Sequence, residues 1–200
     1  MKPTILIFEI ILLKTTPPVW RIIEVKQNTT LHELHAVIQV TMGWENCHLY
    51  SFTRSLEEHH IEFILPEYDP TKELFTGNSP KEFKLRDIFR NVDDCIFYTY
   101  DFGDNWRHRI IFRGRKFETS PFGYPAVVAG ARCCPPEDVG GVHGYAELLE
   151  VIETRNKKSL KEFDNWMGYR YNPDAFGIER LMSGIRRSVK KVVDGFSLEW

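Results

Sequence analysis

The chain has no apolar stretch long enough to cross a bilayer as a helix. Its longest apolar run, Ile5 to Leu13, is nine residues and is interrupted by Glu9, whereas a spanning helix needs about 20. No small-residue cleavage site follows, so the run does not read as a secretory signal. Cysteine is scarce: the four are Cys47, Cys95 and the adjacent Cys133 and Cys134, with neither a CxxC pair nor the even spacing of a disulfide framework. That usage points to a reduced cytoplasm. Neither sign of charge dominates, with 26 Lys and Arg against 28 Asp and Glu, so no global basic field marks a nucleic-acid binder. A GxSxG elbow, a Walker loop and a GxGxxG turn are all missing, which disfavours a serine hydrolase or an NTPase. There is no internal repeat and no low-complexity linker.

What is present reads as one globular domain over residues 1–200. Hydrophobic residues make up 42% and charged residues 27% of the 200, and 14 Phe, 5 Trp and 8 Tyr supply large core side chains. A chain of this length buries roughly 70% of its unfolded surface and needs no staple. Residues 4–13 are apolar on both faces except at Glu9, which predicts a central strand covered on both sides. Thr15-Thr16-Pro17-Pro18 breaks it, and 19–25 reads as the second strand of a hairpin. Thr30 and Glu33 have the form of a capping box, Leu31, Leu34, Ile38 and Met42 follow at helical spacing, and Gly43 supplies the stop. Strands are expected at 48–54 and 61–65 around a charged turn, then a long loop over 66–83 and a short helix over 85–91. A hairpin over 95–102 and 106–112 turns at Gly103-Asp104-Asn105. On its second strand Trp106, His108, Ile110 and Phe112 share the core face, and Arg107, Arg109, Arg113 and Arg115 the outer one. A further strand at 124–129 precedes a loop over 130–144, longer than the roughly 2–6 residues such connections usually need. Helices follow around 145–152 and 178–192. Strands early and helices late predict an α+β fold: a curved, mostly antiparallel sheet with helices packed on it and a helical C-terminal third.

Two polar segments concentrate chemistry, Asp101 to His108 and Cys134 to Gly141. Mg²⁺-like cations need one or two carboxylates, which Asp101, Asp104, Glu137 and Asp138 offer. Zn²⁺ needs His or Cys, which His48, His108, His143, Cys133 and Cys134 offer. No recognised ligand spacing joins them. The structural alternative is that Asp104 is a turn residue, Asp101 bonds loop amides, Glu137 and Asp138 cap a helix, and His108 is a core histidine. The expectation is nevertheless that Glu137 or Asp138 shares a rim with Asp101 or Asp104, with His48 or His108 nearby, because repelling carboxylates brought together need a cation, an arginine or a shared proton. Two basic surfaces also stand out. One is the arginine face at 107–115. The other is the last helix, where Arg180, Arg186, Arg187, Lys190 and Lys191 oppose Glu179 alone. Either suits contact with phosphates, or is an ordinary solvated face. Trp44, Tyr50, Tyr98, Tyr100, Phe102 and Trp106 are assigned to the core rather than to a base-stacking platform.

Residues 17–25 (PPVWRIIEV), 29–52, 98–110 (YTYDFGDNWRHRI) and 134–152 (CPPEDVGGVHGYAELLEVI), with 166–182, resemble the plasmid pRiA4b ORF-3-like family over nearly the whole chain. The resemblance implies an α+β domain with a curved antiparallel sheet, and a link to mobile elements. It implies no catalytic residues. The residues themselves lead to a cytoplasmic binding or interaction module with a nucleic-acid or protein partner and no membrane. The rival is a metal-assisted hydrolase of phosphodiesters, in which Asp101, Asp104, Glu137 and Asp138 hold a divalent cation and His108 moves a proton.

Overall fold

A computed structural model describes residues 4–56, 62–65, 77–121 and 123–198. Six strands form one antiparallel sheet. In chain order they are β1 (Ile5–Leu12), β2 (Trp20–Lys26), β3 (Tyr50–Thr53), β4 (Cys95–Tyr100), β5 (Trp106–Lys116) and β6 (Ala126–Ala131), and across the sheet the order is β3-β4-β5-β1-β2-β6. The two hairpins are joined by β1 against β5, so both belong to one sheet. Among the described residues five helices accompany the sheet: α1 (Leu31–Met42), α2 (Leu85–Ile88), α3 (Gly141–Thr154), α4 (Lys157–Met167) and α5 (Ile178–Val193). The fold is α+β with a helical C-terminal segment, and no helix among the described residues is long and apolar enough to cross a membrane.

Helix α1 is the centre of the packing. The Thr30 hydroxyl accepts from the Glu33 amide while the Glu33 carboxylate accepts from the Thr30 amide, and Gly43 closes the other end at φ 91°. Ten of its twelve residues are buried, because one side lies on the sheet and the other is covered by α5. The sheet presents Leu6, Phe8, Ile10, Leu12, Trp106, Ile110 and Phe112 to this core.

The second face of β1 differs from expectation. Ile7, Glu9 and Ile11 alternate with buried residues but stay only partly covered. At Ile5 that face has apolar cover, from Tyr124, Ala126 and Met182; further along it carries long charged side chains, Arg113 bonding Glu9 and Lys116 bonding Glu24, whose stems shield apolar neighbours. The short helix ends at Ile88, β5 runs on to Lys116, and β6 is set two residues later than expected. Helix α3 starts at Gly141, inside the stretch read as loop. Helix α4, which was not anticipated, has no fully buried residue, although Leu160, Phe163 and Met167 lie along one side of it. The expected strand at 61–65 is reduced to bridges from Phe63 to Phe52 and Asn78. Its residue 61, the charged turn over 57–60 and most of the 66–83 loop lie outside the described residues.

Candidate functional site

Three loops meet at one end of the sheet: 44–49 after α1, 101–105 between β4 and β5, and 134–140 before α3. Trp44 fixes the first to the third by donating from Nε1 to the Pro135 carbonyl at 3.1 Å. The first and second are tied by the Asp101 amide donating to the Leu49 carbonyl at 2.9 Å. Asp104 joins the second to the third: its Oδ2 accepts from the Gly140 amide at 3.2 Å. A Cβ on Gly141 would lie 2.6 Å from the Asp104 carbonyl oxygen, at a φ of +66°, so only glycine lets these two loops touch. Asn46, Asp101, Asn105 and Asp138 all take positive φ here, the left-handed region that Asn and Asp tolerate best among side-chain-bearing residues.

The result is a cluster around His48. Its Nε2 lies 3.1 Å from Asp138 Oδ1, 3.8 Å from Asp101 Oδ2 and 3.9 Å from Glu137 Oε2. Glu137 is held from its other oxygen: Oε1 accepts from the Glu45 amide at 2.7 Å and from the Tyr100 hydroxyl at 3.0 Å. Asp101 Oδ1 similarly accepts from the Gly103 amide. Each of these carboxylates therefore keeps one oxygen turned towards His48. Glu137 Oε2 and His48 Nε2 are both shut off from water and make no hydrogen bond. Burial raises the Glu137 pKa against the lowering effect of its two donors, and burial followed by the charge of Glu137 keeps Tyr100 a phenol. Among the described residues no Lys or Arg forms an ion pair with these three carboxylates. Two donor sets lie within 4.8 Å, one of His48, Asp101 and Asp138 and the other of Cys47, His48 and Glu137.

The remaining candidates fall elsewhere. His108 is fully buried on the core face of β5, beside Trp44 and Tyr98. Burial drives its pKa down to about 3, backbone groups of Tyr98 and Trp106 oppose this weakly, and neither ring nitrogen makes a well-formed hydrogen bond. It cannot move a proton for the loop cluster. Asp104 links loops and does not face His48. His143 is exposed on α3, and Cys133 and Cys134 lie near Arg21 and Tyr171, so none of the three belongs to either donor set. Of the aromatics assigned to the core, Phe102 is exposed and the other five are buried.

The expected arginine row on β5 breaks at the register shift beside Ile7 and Phe8: Arg115 pairs with Leu6 and stacks on the Phe112 ring, off the face that carries Arg107 and Arg109. On β5, Arg113 bonds Glu9 and Asp93, Arg115 donates to the Phe89 and Arg90 carbonyls, and Arg107 donates to Asn105, while Arg109 is exposed. On α5 all five cations are exposed, and Lys190 reaches Asp194 at 3.6 Å. That helix ends beside the cluster: Asn46 donates to the Phe196 carbonyl, and the Leu198 amide to that of Glu45. Tyr100, which orients Glu137, and Cys47, beside His48, were not singled out from sequence. The adjacency Cys47-His48 was the available signal for the second. Nothing short of the strand pairing pointed to the first.

Comparison with known proteins covers most of the chain. It is 31% identical over 189 residues to the uncharacterized protein y4hQ of Sinorhizobium fredii (strain NBRC 101917 / NGR234), covering 92% of this chain and 88% of that one. It is similar to the crystal structure of the protein of unknown function MM3350 from Methanosarcina mazei Go1, with TM-score 0.75 and 30% identity over 90% of this chain and 97% of that one. The family profile described as plasmid pRiA4b ORF-3-like protein matches residues 4–180. With that match across most of its length, the chain belongs to the plasmid pRiA4b ORF-3-like family.

Proposed function

We propose that the protein is a divalent-cation-dependent hydrolase of phosphodiesters whose cation sits between His48 and Glu137. One observation carries this reading: His48 Nε2 and Glu137 Oε2 are both buried, both without a hydrogen-bond partner, and 3.9 Å apart. That is too far for a hydrogen bond and suits two donors to one ion. A buried polar atom left unpaired costs about 1–3 kcal/mol; Glu137 Oε2 bears that cost, and a cation shared with His48 Nε2 removes it while offsetting the mutual repulsion of Asp101, Glu137 and Asp138. A bound divalent ion would polarise a phosphoryl oxygen and acidify a water. Asp138, with its side chain 67% exposed and Oδ1 3.1 Å from His48 Nε2, stands where water arrives. There it would take the proton from that water as the oxygen bonds to phosphorus and the bond from phosphorus to the leaving oxygen breaks. Tyr100 and the Glu45 amide position Glu137 from behind.

The choice of phosphodiesters rests on α5. Its buried stripe is Ile185, Val189 and Val192, which turns Arg180, Arg187 and Lys191 to solvent at helical spacing. These cations lead to the end of the helix that abuts residues 45 and 46. A polyanion attracted along them is delivered to the cluster, and the same stripe supports a nucleic-acid partner should no hydrolysis follow. The test is cation content by elemental analysis, together with turnover of a chromogenic phosphodiester. Cation-dependent turnover that disappears in Glu137→Gln and Asp138→Asn, at unchanged circular dichroism, is expected. Salt-sensitive oligonucleotide binding without turnover would reduce the protein to a binding module. Absence of cation uptake would remove the hydrolase.

A further inference from the structure

We infer that Cys47 is a ligand of the site and that the resident cation is therefore zinc or a similarly thiophilic divalent ion, rather than magnesium or manganese. This rests on the cation reading above and adds to it the identity of the metal. Donor atoms of Cys47, His48 and Glu137 lie within 4.8 Å of one another, and within this set His48 Nε2 and Glu137 Oε2 are buried and make no hydrogen bond. The thiol is on the open side, Cys47 being exposed, and its Sγ lies 3.7 Å from the Tyr100 hydroxyl that also bonds Glu137. The left-handed Asn46 bends the chain so that consecutive residues 47 and 48 serve one centre.

Chemistry then separates the two overlapping donor sets. The set of His48, Asp101 and Asp138 is two carboxylates and an imidazole, which hard cations accept. The set of Cys47, His48 and Glu137 offers sulfur, nitrogen and oxygen, one each, and thiolate sulfur discriminates strongly for zinc-like ions. Three protein ligands with a fourth position left to water is the arrangement of catalytic zinc. Zinc bond lengths put a nitrogen and an oxygen ligand about 3.4 Å apart and a sulfur about 3.6 Å from either, so the 3.9 Å pair has to close by about 0.5 Å and the sulfur, within 4.8 Å of its partners, by at most about 1.2 Å, a shift the exposed Cys47 side chain makes by rotation. Asp138 and Asp101 are left beside the fourth position, as the proton acceptor and its neighbour.

Cobalt(II) is the probe, because it replaces zinc and reports its ligands by absorption. The full chain loaded with cobalt is expected to show a near-ultraviolet thiolate-to-cobalt charge-transfer band together with visible ligand-field bands. Cys47→Ser, at an exposed position that leaves the core intact, should abolish the first and retain weak ligand-field bands. The same substitution should weaken zinc by at least about tenfold, the lower end of what losing even an outer partner costs, and should leave manganese affinity nearly unchanged. Ligand-field bands without a thiolate band would overturn the role of Cys47 while leaving the hydrolase standing. No uptake of cobalt, zinc or manganese would overturn both.

Discussion

His48 and His108 both carry buried ring nitrogens that make no well-formed hydrogen bond, and a chain of rings runs between them, from His48 to Tyr100 to Trp44 to His108. Their surroundings differ. His108 is enclosed by aromatic side chains under α1, and desolvation keeps it neutral. Around His48 stand three carboxylates and an exposed thiol at the edge of solvent. An unsatisfied imidazole is therefore not in itself a sign of a ligand. What makes it one is negative charge nearby that lacks its own compensation, with a path for an ion to enter.

The largest expected effect separates the two regions by pH. Burial holds both His35 and His108 at a pKa of about 3, from 6.5. Below pH 6.5 the unfolded chain binds protons that the folded one refuses, so the stability these residues permit is complete above about pH 6.5 and is lost as the pH falls towards 3. Between pH 6.5 and 4.5 the two together should cost about 5 kcal/mol, of the order of a whole domain's stability. Urea midpoints measured across that range should fall steeply, and less steeply in His108→Phe. A flat profile would break the contrast from the side of the core.

Next in size is ligand linkage at His48. Zinc at about 100 times its dissociation constant should add about 2.7 kcal/mol, or roughly 5–10 °C of melting temperature for a chain of this size. A chelator should reverse the gain, and Glu137→Gln should abolish it. If His108→Phe abolishes it equally while remaining folded, the distinction between the two histidines fails.

Thr30→Ala sharpens the comparison by touching the fold alone. Loss of the hydroxyl cap should cost about 0.5–2 kcal/mol, read as a lower denaturation midpoint with cation affinity unchanged. The smallest effect on stability belongs to the double charge reversal Arg187→Glu with Lys191→Glu. Exposed on α5, the pair should shift stability by no more than about 0.5 kcal/mol. Oligonucleotide binding, followed by fluorescence anisotropy at low salt, should nevertheless be lost.

Elements that bury one regular stripe were legible from their residues. The pattern around Leu31, Leu34, Ile38 and Met42, framed by Thr30, Glu33 and Gly43, marks α1 because each signal is local. The hairpin β4–β5 is equally local, with alternation on both strands and a turn at Gly103. Helix α4 did carry a local signal, Leu160, Phe163 and Met167 at helical spacing, although none of its residues is fully buried. The partial cover of the outer face of β1 escaped because apolar residues at Ile7 and Ile11 signal burial whether a second layer or the stems of arginine and lysine provide it.

By itself, then, the sequence determined the antiparallel sheet with its capped helix, the family, and which polar segments are rich in acids. These follow from short-range periodicity, turn chemistry and residue identity. Only the tertiary structure decided that Glu137 and Asp138 meet Asp101 across loops more than thirty residues apart in the chain, that His48 and not His108 joins them, and that Cys47 faces the same point. The reason is physical. A side chain on a strand declares its face through alternation, which placed His108 in the core. Loop side chains have no such period, and their directions come from long-range bonds, Trp44 to Pro135, Asp104 to Gly140 and Tyr100 to Glu137, that exist only once the sheet and α1 have packed.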